Sequence, residues 1–514
     1  MAASGSALRS SVLLVSLIAA LVTAPASAQA ETRYEAESAA INRGVVESNH
    51  AGYTGSGFVN YDNVTGSYVE FTVTSDTAQP VPLTFRYANG TSTNRPLDIT
   101  VNGTLTTDEL AFTSTGAWTT WRTQQVTVDL PQGTSKIRAT ATTANGGPNL
   151  DSLTLGSTTT QDWSVAVVES TMATKTPSQL GGWGYQTGLY LYGQYLVYQR
   201  TKDPRYLNYI KAWVDRFVDS SGNISNSFNN LDSMLSGRLL VILHRETGQK
   251  KYETAARKIR NRLNTYPRTS DGGFWHSTSE SRANQLWADG VFMVNPFLIE
   301  FGKEFGDATY ANDEASKQMN VYASHLQQAN GILKHAWDES KVQSWADKTT
   351  GLAPEYWCRA IGWYGMATID ILELLPATHP RRAQMITDLR EYVAGLRNYQ
   401  DPATGRWFQV VDKGSRTDNW TETSCSMMFS FTMSRGVERG YIDPSYKDTA
   451  KKGYEGVLAK TSLNSAGRTE IRDISIGTNV GDYAYYIART RATNDFHGLG
   501  AFLIMNEQFI RVGA

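Results

Sequence analysis

Between Tyr34 and about Gly156, apolar and polar residues alternate with a period of two. The runs Tyr68-Val69-Glu70-Phe71-Thr72-Val73, Leu83-Thr84-Phe85-Arg86-Tyr87 and Lys136-Ile137-Arg138-Ala139-Thr140 show it best. In an extended chain successive side chains point to opposite faces, so alternation gives each strand one apolar and one wet face. Clusters of Gly, Asn, Thr and Pro separate the runs. Short strands at such spacing predict an all-β sandwich of the jelly-roll type over residues 31–156.

Residues 157–162 read as a short polar linker, and beyond it the period changes. Apolar residues recur at helical spacing over 186–200, 234–246, 252–263, 292–305, 361–375, 383–396 and 496–509. Asp, Ser or Thr precedes several of these stretches, and Gly or Pro follows, as helix ends require. Residues 163–514 are therefore predicted to be all-α. Their length suits an (α/α)6 barrel, an inner ring of helices inside an outer one. A plain bundle or a solenoid has the same period, although no strict repeat of the solenoid kind is present.

The first residues change the picture of where the protein works. Arg9 precedes an apolar stretch, residues 11–24, that is too short to span a bilayer comfortably. Ala26-Ser27-Ala28 and Ala28-Gln29-Ala30 both fit a small-residue cleavage site. Residues 1–30 are read as a cleaved signal peptide, and the mature protein is expected to be secreted. The formal net charge is −1, with no basic block, so nothing points to nucleic acid or to an anionic membrane. The two cysteines, Cys358 and Cys425, leave one bridge and two buried thiols equally open. No Cys/His cluster has the spacing of a zinc site.

Candidate chemistry concentrates in the helical half. Asn284-Gln285-Leu286-Trp287-Ala288-Asp289 puts a carboxylate behind a tryptophan at the head of an apolar run. Desolvation disfavours the charged carboxylate, so Asp289 is a candidate general acid, with a helix N-cap as the plain alternative. Asn229-Asn230-Leu231-Asp232-Ser233-Met234 repeats the arrangement. Two carboxylates on one rim suit glycosidic chemistry. His276, His335 and Arg359 lie in aromatic surroundings, the last between Trp357 and Trp363.

The segments WGYQTGLYLYG, NNLDSMLSG, GGFWH, NQLWADGVFM, HAWD, EYWCRAIGWYGMA, ETSCSMMFSF and NDFHGLGAFL occur in this order. With them, residues 163 to 511 resemble glycoside hydrolase family 105, the unsaturated rhamnogalacturonyl hydrolases, related to family 88. The resemblance implies an (α/α)6 barrel and exo-acting removal of a 4,5-unsaturated galacturonic acid from the non-reducing end of lyase-generated rhamnogalacturonan (pectin) oligosaccharides. It places Asp289 on the catalytic acid/base and Asp232 on the second essential carboxylate. His276, Trp287, His335, Trp357 and Arg359 fall on pocket positions, and Trp183, Tyr185 and Trp363 on its walls. Cys358 and Cys425 stand where small residues are expected. The implied reaction protonates C4 and adds water at C5, with Asp232 helping to keep Asp289 protonated, and it calls for no metal or organic cofactor. An unsaturated β-glucuronyl hydrolase and a non-catalytic polysaccharide-binding protein are the alternatives.

In the sandwich, Tyr34-Glu35-Ala36-Glu37 opens the first strand and Asn149-Leu150-Asp151-Ser152-Leu153 closes the last. These pieces, with HAGYTGSGFVNY, RPLDITVNG and AWTTW, resemble carbohydrate-binding modules of families 35 and 6. The resemblance implies a structural Ca²⁺ at Glu35, Glu37 and Asp151, since Ca²⁺ takes oxygen ligands. It puts Tyr53, Arg95, Trp118 and Asn149 at a sugar-binding cleft. The expected partners are an oligosaccharide substrate and a polysaccharide ligand.

Overall fold

The computed structural model describes residues 32–75, 78–155 and 161–513. The signal segment 1–30 and most of the linker 157–162 lie outside the described residues. The chain divides into two compact units between Gln161 and Asp162.

The first unit is the expected antiparallel sandwich. Its strands are β1 (Thr32–Glu35), β2 (Ala40–Asn42), β3 (Gly44–Glu47), β4 (Phe58–Tyr61), β5 (Tyr68–Ser75), β6 (Gln79–Ala88), β7 (Leu97–Val101), β8 (Thr104–Leu110), β9 (Arg122–Leu130), β10 (Gly133–Ala141) and β11 (Asn149–Leu155). One sheet runs β3-β4-β11-β6-β9, with β1 also paired to β11; the other runs β2-β5-β10-β7-β8. Alternation decides the interior: Val69, Phe71 and Val73 from β5 pack in one core with Leu83, Phe85 and Tyr87 from β6.

The second unit contains α1 (Trp163–Thr174), α2 (Tyr185–Thr201), α3 (Pro204–Val214), α4 (Gly237–Thr247), α5 (Lys250–Arg262), α6 (Gly290–Phe305), α7 (Ala308–Leu326), α8 (Cys358–Leu374), α9 (Arg382–Asn398), α10 (Thr423–Glu438), α11 (Tyr446–Leu458), the short α12 (Tyr483–Ile487) and α13 (Phe496–Val512). Contacts run α2–α4–α6–α8–α10–α13 and return from α13 to α2, which closes a ring. Helices such as α6 and α8 are buried nearly all round, as an inner ring must be. Outer helices such as α5 bury one face and expose charge on the other. Closure of the ring distinguishes the α/α barrel from the solenoid that shares its period.

Cys358, the first residue of α8, and Cys425, in the first turn of α10, form a buried disulfide with Cα atoms 5.6 Å apart. It joins two neighbouring inner helices at their N-terminal ends. No helix among the described residues is long and apolar enough to cross a membrane.

Candidate active site

The inner helices gather their first turns at one mouth of the barrel. Tyr185 opens α2, Asp289 is the N-cap of α6, Trp357 of α8, Glu422 of α10 and Asp495 of α13. Asp232 lies on the 3-10 turn Leu231–Ser233 just before α4. Each helix N-terminus carries partial positive charge, so this mouth favours an anionic ligand.

Neither candidate carboxylate spends itself on capping. Asn230 accepts the backbone N–H of Asp232 at 2.9 Å, which leaves the Asp232 carboxyl free. Asp289 occupies a cap position with helical backbone, φ −56°, and its side chain makes no capping bond. A local ribbon supplies their histidines. β12 (Gln285–Trp287) pairs with β13 (Ala336–Asp338), and the Ala288 N–H donates to the His335 carbonyl at 2.8 Å, which brings His335 beside Asp289. The His276 N–H donates to the Gln285 carbonyl at 2.8 Å and its carbonyl accepts from Leu231 at 3.0 Å, which places His276 between Trp287 and Asp232.

Each carboxylate thus faces one buried imidazole. His276 Nε2 lies 3.5 Å from Asp232 Oδ1, and His335 Nε2 lies 3.3 Å from Asp289 Oδ2. The second pair is close but not aligned as a hydrogen bond, so Asp289 Oδ2 is buried without a hydrogen-bond partner. The two environments separate the pair. Burial, then the charge of Asp289, pushes Asp232 up to about 7. Burial also raises Asp289, but the neighbouring His335 outweighs it and holds that carboxyl below its ordinary value. The two shifts run opposite to the expectation from sequence, in which Asp289 is the carboxyl that is raised. The residue facing Asp289 is His335, while Trp287 stacks on His276 at 4.5 Å with planes 6° apart. Burial pushes His276 down to about 3, so its ring is neutral.

The aromatic positions differ in what they do. Trp357 is buried against His335, centroids 4.8 Å apart. Trp183 donates to the Ser233 carbonyl at 2.8 Å and lines a cavity of about 490 Å³ with Gly181, Gly182 and His497. Trp363 is fully buried and packs behind Phe292 and Tyr185, so it supports the wall without forming its surface. Arg359 also departs from the expected carboxylate grip. Both of its Nη groups donate to backbone carbonyls, of Ser475 and of Ile476, and it ties that strand to α8.

Sequence reasoning missed four residues here. Arg282 lies over the Trp287 ring at 4.5 Å and feels Asp232. Tyr486 contacts His335 at 2.5 Å, and Asp495 and His497 lead to Tyr185. The Asp-x-His spacing at the head of α13 was a usable signal; nothing in the sequence around Tyr486 or Arg282 sets them apart.

In the sandwich, Arg95 lies over Trp118 at 5.5 Å, and His50 stacks on both Trp118 and Phe58, with Tyr53 tilted on Phe58. Rings and guanidinium form one continuous patch, with His50 and Trp121 added to the expected set. Arg95 Nη1 is held by Asn63 and the Gly147 carbonyl. Asn149 is buried at the start of β11.

The three acids expected to hold Ca²⁺ bracket the Thr54–Ser56 loop. The Thr54 hydroxyl bridges Glu35 and Asp151 at 2.9 and 2.8 Å, and Ser56 N–H donates to Glu37 at 2.6 Å. Glu37 Oε2 is buried with no hydrogen-bond partner, and a Cβ on Gly55 would stand 2.2 Å from Glu37 Oε1. Glu37 therefore fits a hard cation with Glu35 beside it, while Glu35 is also paired with Arg33 at 2.8 Å and Asp151 with Arg86 at 2.5 Å. Among the described residues, the tight cluster of metal-type ligands is elsewhere, at Cys358, Glu422 and Cys425, and its sulfurs are bonded to each other.

Known proteins fall into place against this geometry. Residues 161–512 match Glycosyl Hydrolase Family 88, and residues 35–157 match Carbohydrate binding module (family 6). A family 105 glycoside hydrolase from C. acetobutylicum is 34% identical, with a TM-score of 0.66, over 68% of this chain and 100% of that one. The unsaturated rhamnogalacturonyl hydrolase YesR of Bacillus subtilis is 30% identical over 49% of this chain and 71% of its own length. The exo-β-D-glucosaminidase of Amycolatopsis orientalis is 60% identical over 24% of this chain, which spans only 12% of that enzyme. The chain belongs to Glycosyl Hydrolase Family 88, is similar to family 105 structures, and joins that hydrolase barrel to a carbohydrate-binding sandwich.

Proposed function

We propose that the protein removes a 4,5-unsaturated galacturonic acid from the non-reducing end of lyase-generated rhamnogalacturonan oligosaccharides, outside the cell. The observation that carries the reading is the pair Asp232 and Asp289, each backed by a buried histidine, at a mouth ringed by helix N-termini. The similarity to YesR supports the choice of sugar.

The C4=C5 bond of such a substrate is an enol ether. Its own carboxylate, arriving beside Asp289, adds negative charge and raises that carboxyl until it takes up a proton. Asp289 protonates C4, and the cation at C5 is shared with the ring oxygen. Water adds at C5 and returns a proton to Asp289. The hemiketal opens, and the aglycone leaves as an alcohol. Asp232 and His276 hold sugar hydroxyls. The chemistry asks for no metal or organic cofactor; a Ca²⁺ at Glu35 and Glu37 would serve only the sandwich, whose aromatic patch holds polysaccharide.

A second reading keeps the reaction and exchanges the roles, because burial raises the Asp232 carboxyl while the Asp289 carboxyl is held low. There Asp232 protonates C4 and Asp289 activates water. Turnover of a panel of unsaturated disaccharides in heavy water tests both. Deuterium at C4 of the released sugar is expected; its absence ends the hydration scheme. Asp232→Asn retaining at least a hundredth of the activity favours Asp289 as the acid, and complete loss favours Asp232.

A further inference from the structure

One buried chain of polar groups at the mouth has no part in the scheme above. Asp495 Oδ1 accepts the backbone N–H of His497 at 3.0 Å and lies 2.5 Å from His497 Nδ1. The other ring nitrogen, Nε2, lies 2.6 Å from the Tyr185 hydroxyl oxygen. Tyr185 and His497 are far apart in sequence. They meet because α13 closes the ring against α2.

Each hydrogen in this chain has one place to go. Burial raises Asp495, but the hydrogen bonds from the His497 ring and backbone N–H hold it below its ordinary value, so it is ionised and only accepts. The hydrogen between them therefore sits on Nδ1. Burial, then the charge of Arg359, pushes His497 down to about 4, so the ring is neutral and Nε2 offers a lone pair. Burial raises the Tyr185 hydroxyl far above its ordinary value, so it keeps its hydrogen and donates it to Nε2. The Tyr185 oxygen is left with lone pairs alone. Tyr185 feels the charges of both Asp232 and Asp289, and its neighbours Gly184, Gln186 and His497 line the cavity at the mouth.

We propose that the Asp495–His497–Tyr185 chain fixes the Tyr185 oxygen as a hydrogen-bond acceptor and thereby makes a free ring hydroxyl on the unsaturated sugar a condition of efficient turnover. The inference rests on the proposed function. On such a ring C4 and C5 are vinylic and the carboxyl is ionised, so the donors are the hydroxyls at C2 and C3. A sugar lacking the contacted hydroxyl, or carrying it as a methyl ether, leaves the Tyr185 lone pairs without a donor from the ligand. Sites built around a hydrogen bond discriminate strongly for this reason. Asp495 and His497 do not touch the sugar; they are positioning residues.

The experiment combines a selectivity ratio with a direct view of the imidazole. The parent unsaturated disaccharide and its 2-deoxy and 3-deoxy analogues are assayed with the wild type, Tyr185→Phe, His497→Leu and His497→Gln. In the wild type, kcat/KM for the parent is expected to exceed that for one deoxy analogue by about 10²-fold. Tyr185→Phe and His497→Leu bring that ratio within about tenfold. His497→Gln, whose amide can donate to Asp495 and accept from Tyr185, restores it to within about threefold of the wild type. Histidine ¹⁵N NMR of the full chain should show His497 with Nδ1 protonated and Nε2 bare near neutral pH. The opposite tautomer, or a wild type that turns over all three sugars alike, overturns the chain's role and leaves the hydrolase reading standing. No turnover of any unsaturated uronide overturns the hydrolase reading itself, and the hydroxyl requirement with it.

Discussion

His335 Nε2 stands 3.3 Å from Asp289 Oδ2, while its Nδ1 is 2.5 Å from the Tyr486 hydroxyl. Tyr486 also accepts a backbone N–H from Gly481 at 3.0 Å, which fixes its hydroxyl beside His335. The arrangement holds the Asp289 carboxyl below its ordinary value. Asp289→Asn is expected to lower kcat by roughly 10²-fold or more while the melting curve keeps its midpoint. Loss of the unsaturated chromophore's ultraviolet absorbance reports the rate, and near-normal turnover would remove Asp289 from the chemistry.

Asp232 gives a pH signature. Its folded value of about 7 lies above that of an unfolded aspartate, so its contribution to stability is complete in acid and is lost as pH rises through about 7. Asp232→Asn stays neutral throughout. The variant should match the wild type near pH 4 and exceed it by about 1–2 kcal/mol at pH 8, allowing for partial solvent exposure of the carboxyl. Melting midpoints at the two pH values measure the gap; a gap that does not widen with pH places the proton elsewhere.

Arg282 is the guanidinium with room for a substrate carboxylate. It rests over Trp287, and its hydrogen bond is to the Asn479 side chain at 2.7 Å, whereas the Arg359 Nη groups are committed to backbone. Arg282→Ala is expected to raise KM about tenfold with little change in kcat, as loss of one charged hydrogen-bonding group in binding would. Equal losses in kcat and kcat/KM would instead show that Arg282 acts in the transition state.

The Cys358–Cys425 bridge closes a segment of 67 residues and joins α8 to α10 beside Arg359. Replacing both cysteines with alanine should destabilise the barrel by about 2–4 kcal/mol. Chemical denaturation with and without reductant measures this, and an unchanged midpoint would mean that the packing of the two helices suffices.

For the sandwich, Ca²⁺ should raise the melting temperature of its transition, by about 2.7 kcal/mol of stabilisation at a hundredfold excess over the dissociation constant. Glu37→Ala should abolish the shift, because its buried Oε2 has no other partner. A shift that survives in Glu37→Ala would move the ion to another site.

Periodicity alone was enough to separate the two units. The alternating runs fall inside β5, β6 and β10, and the amphipathic runs became α2, α4, α5, α6, α8, α9 and α13. Other helices left weaker marks. α10 is buried nearly all round and holds Ser and Thr whose hydroxyls bond carbonyls one turn back, as Ser430 does to Ser426 at 2.8 Å, so its helical period is masked. The acid pair was legible because aspartate at the head of an apolar run is a local pattern, and the aromatic neighbours are local too.

What the chain by itself determined is what depends on near neighbours: strand and helix, the boundary between the units, and which carboxylates open a helix. Only the closed ring decided the rest, because protonation and hydrogen-bond direction depend on groups distant in sequence. His335 against Asp289 holds that carboxyl low while burial raises Asp232. Backbone carbonyls at Ser475 and Ile476 occupy Arg359, and α13 meeting α2 sets His497 on Tyr185. A side chain's charge is fixed by the field and solvent around it, and those exist only once the barrel has closed.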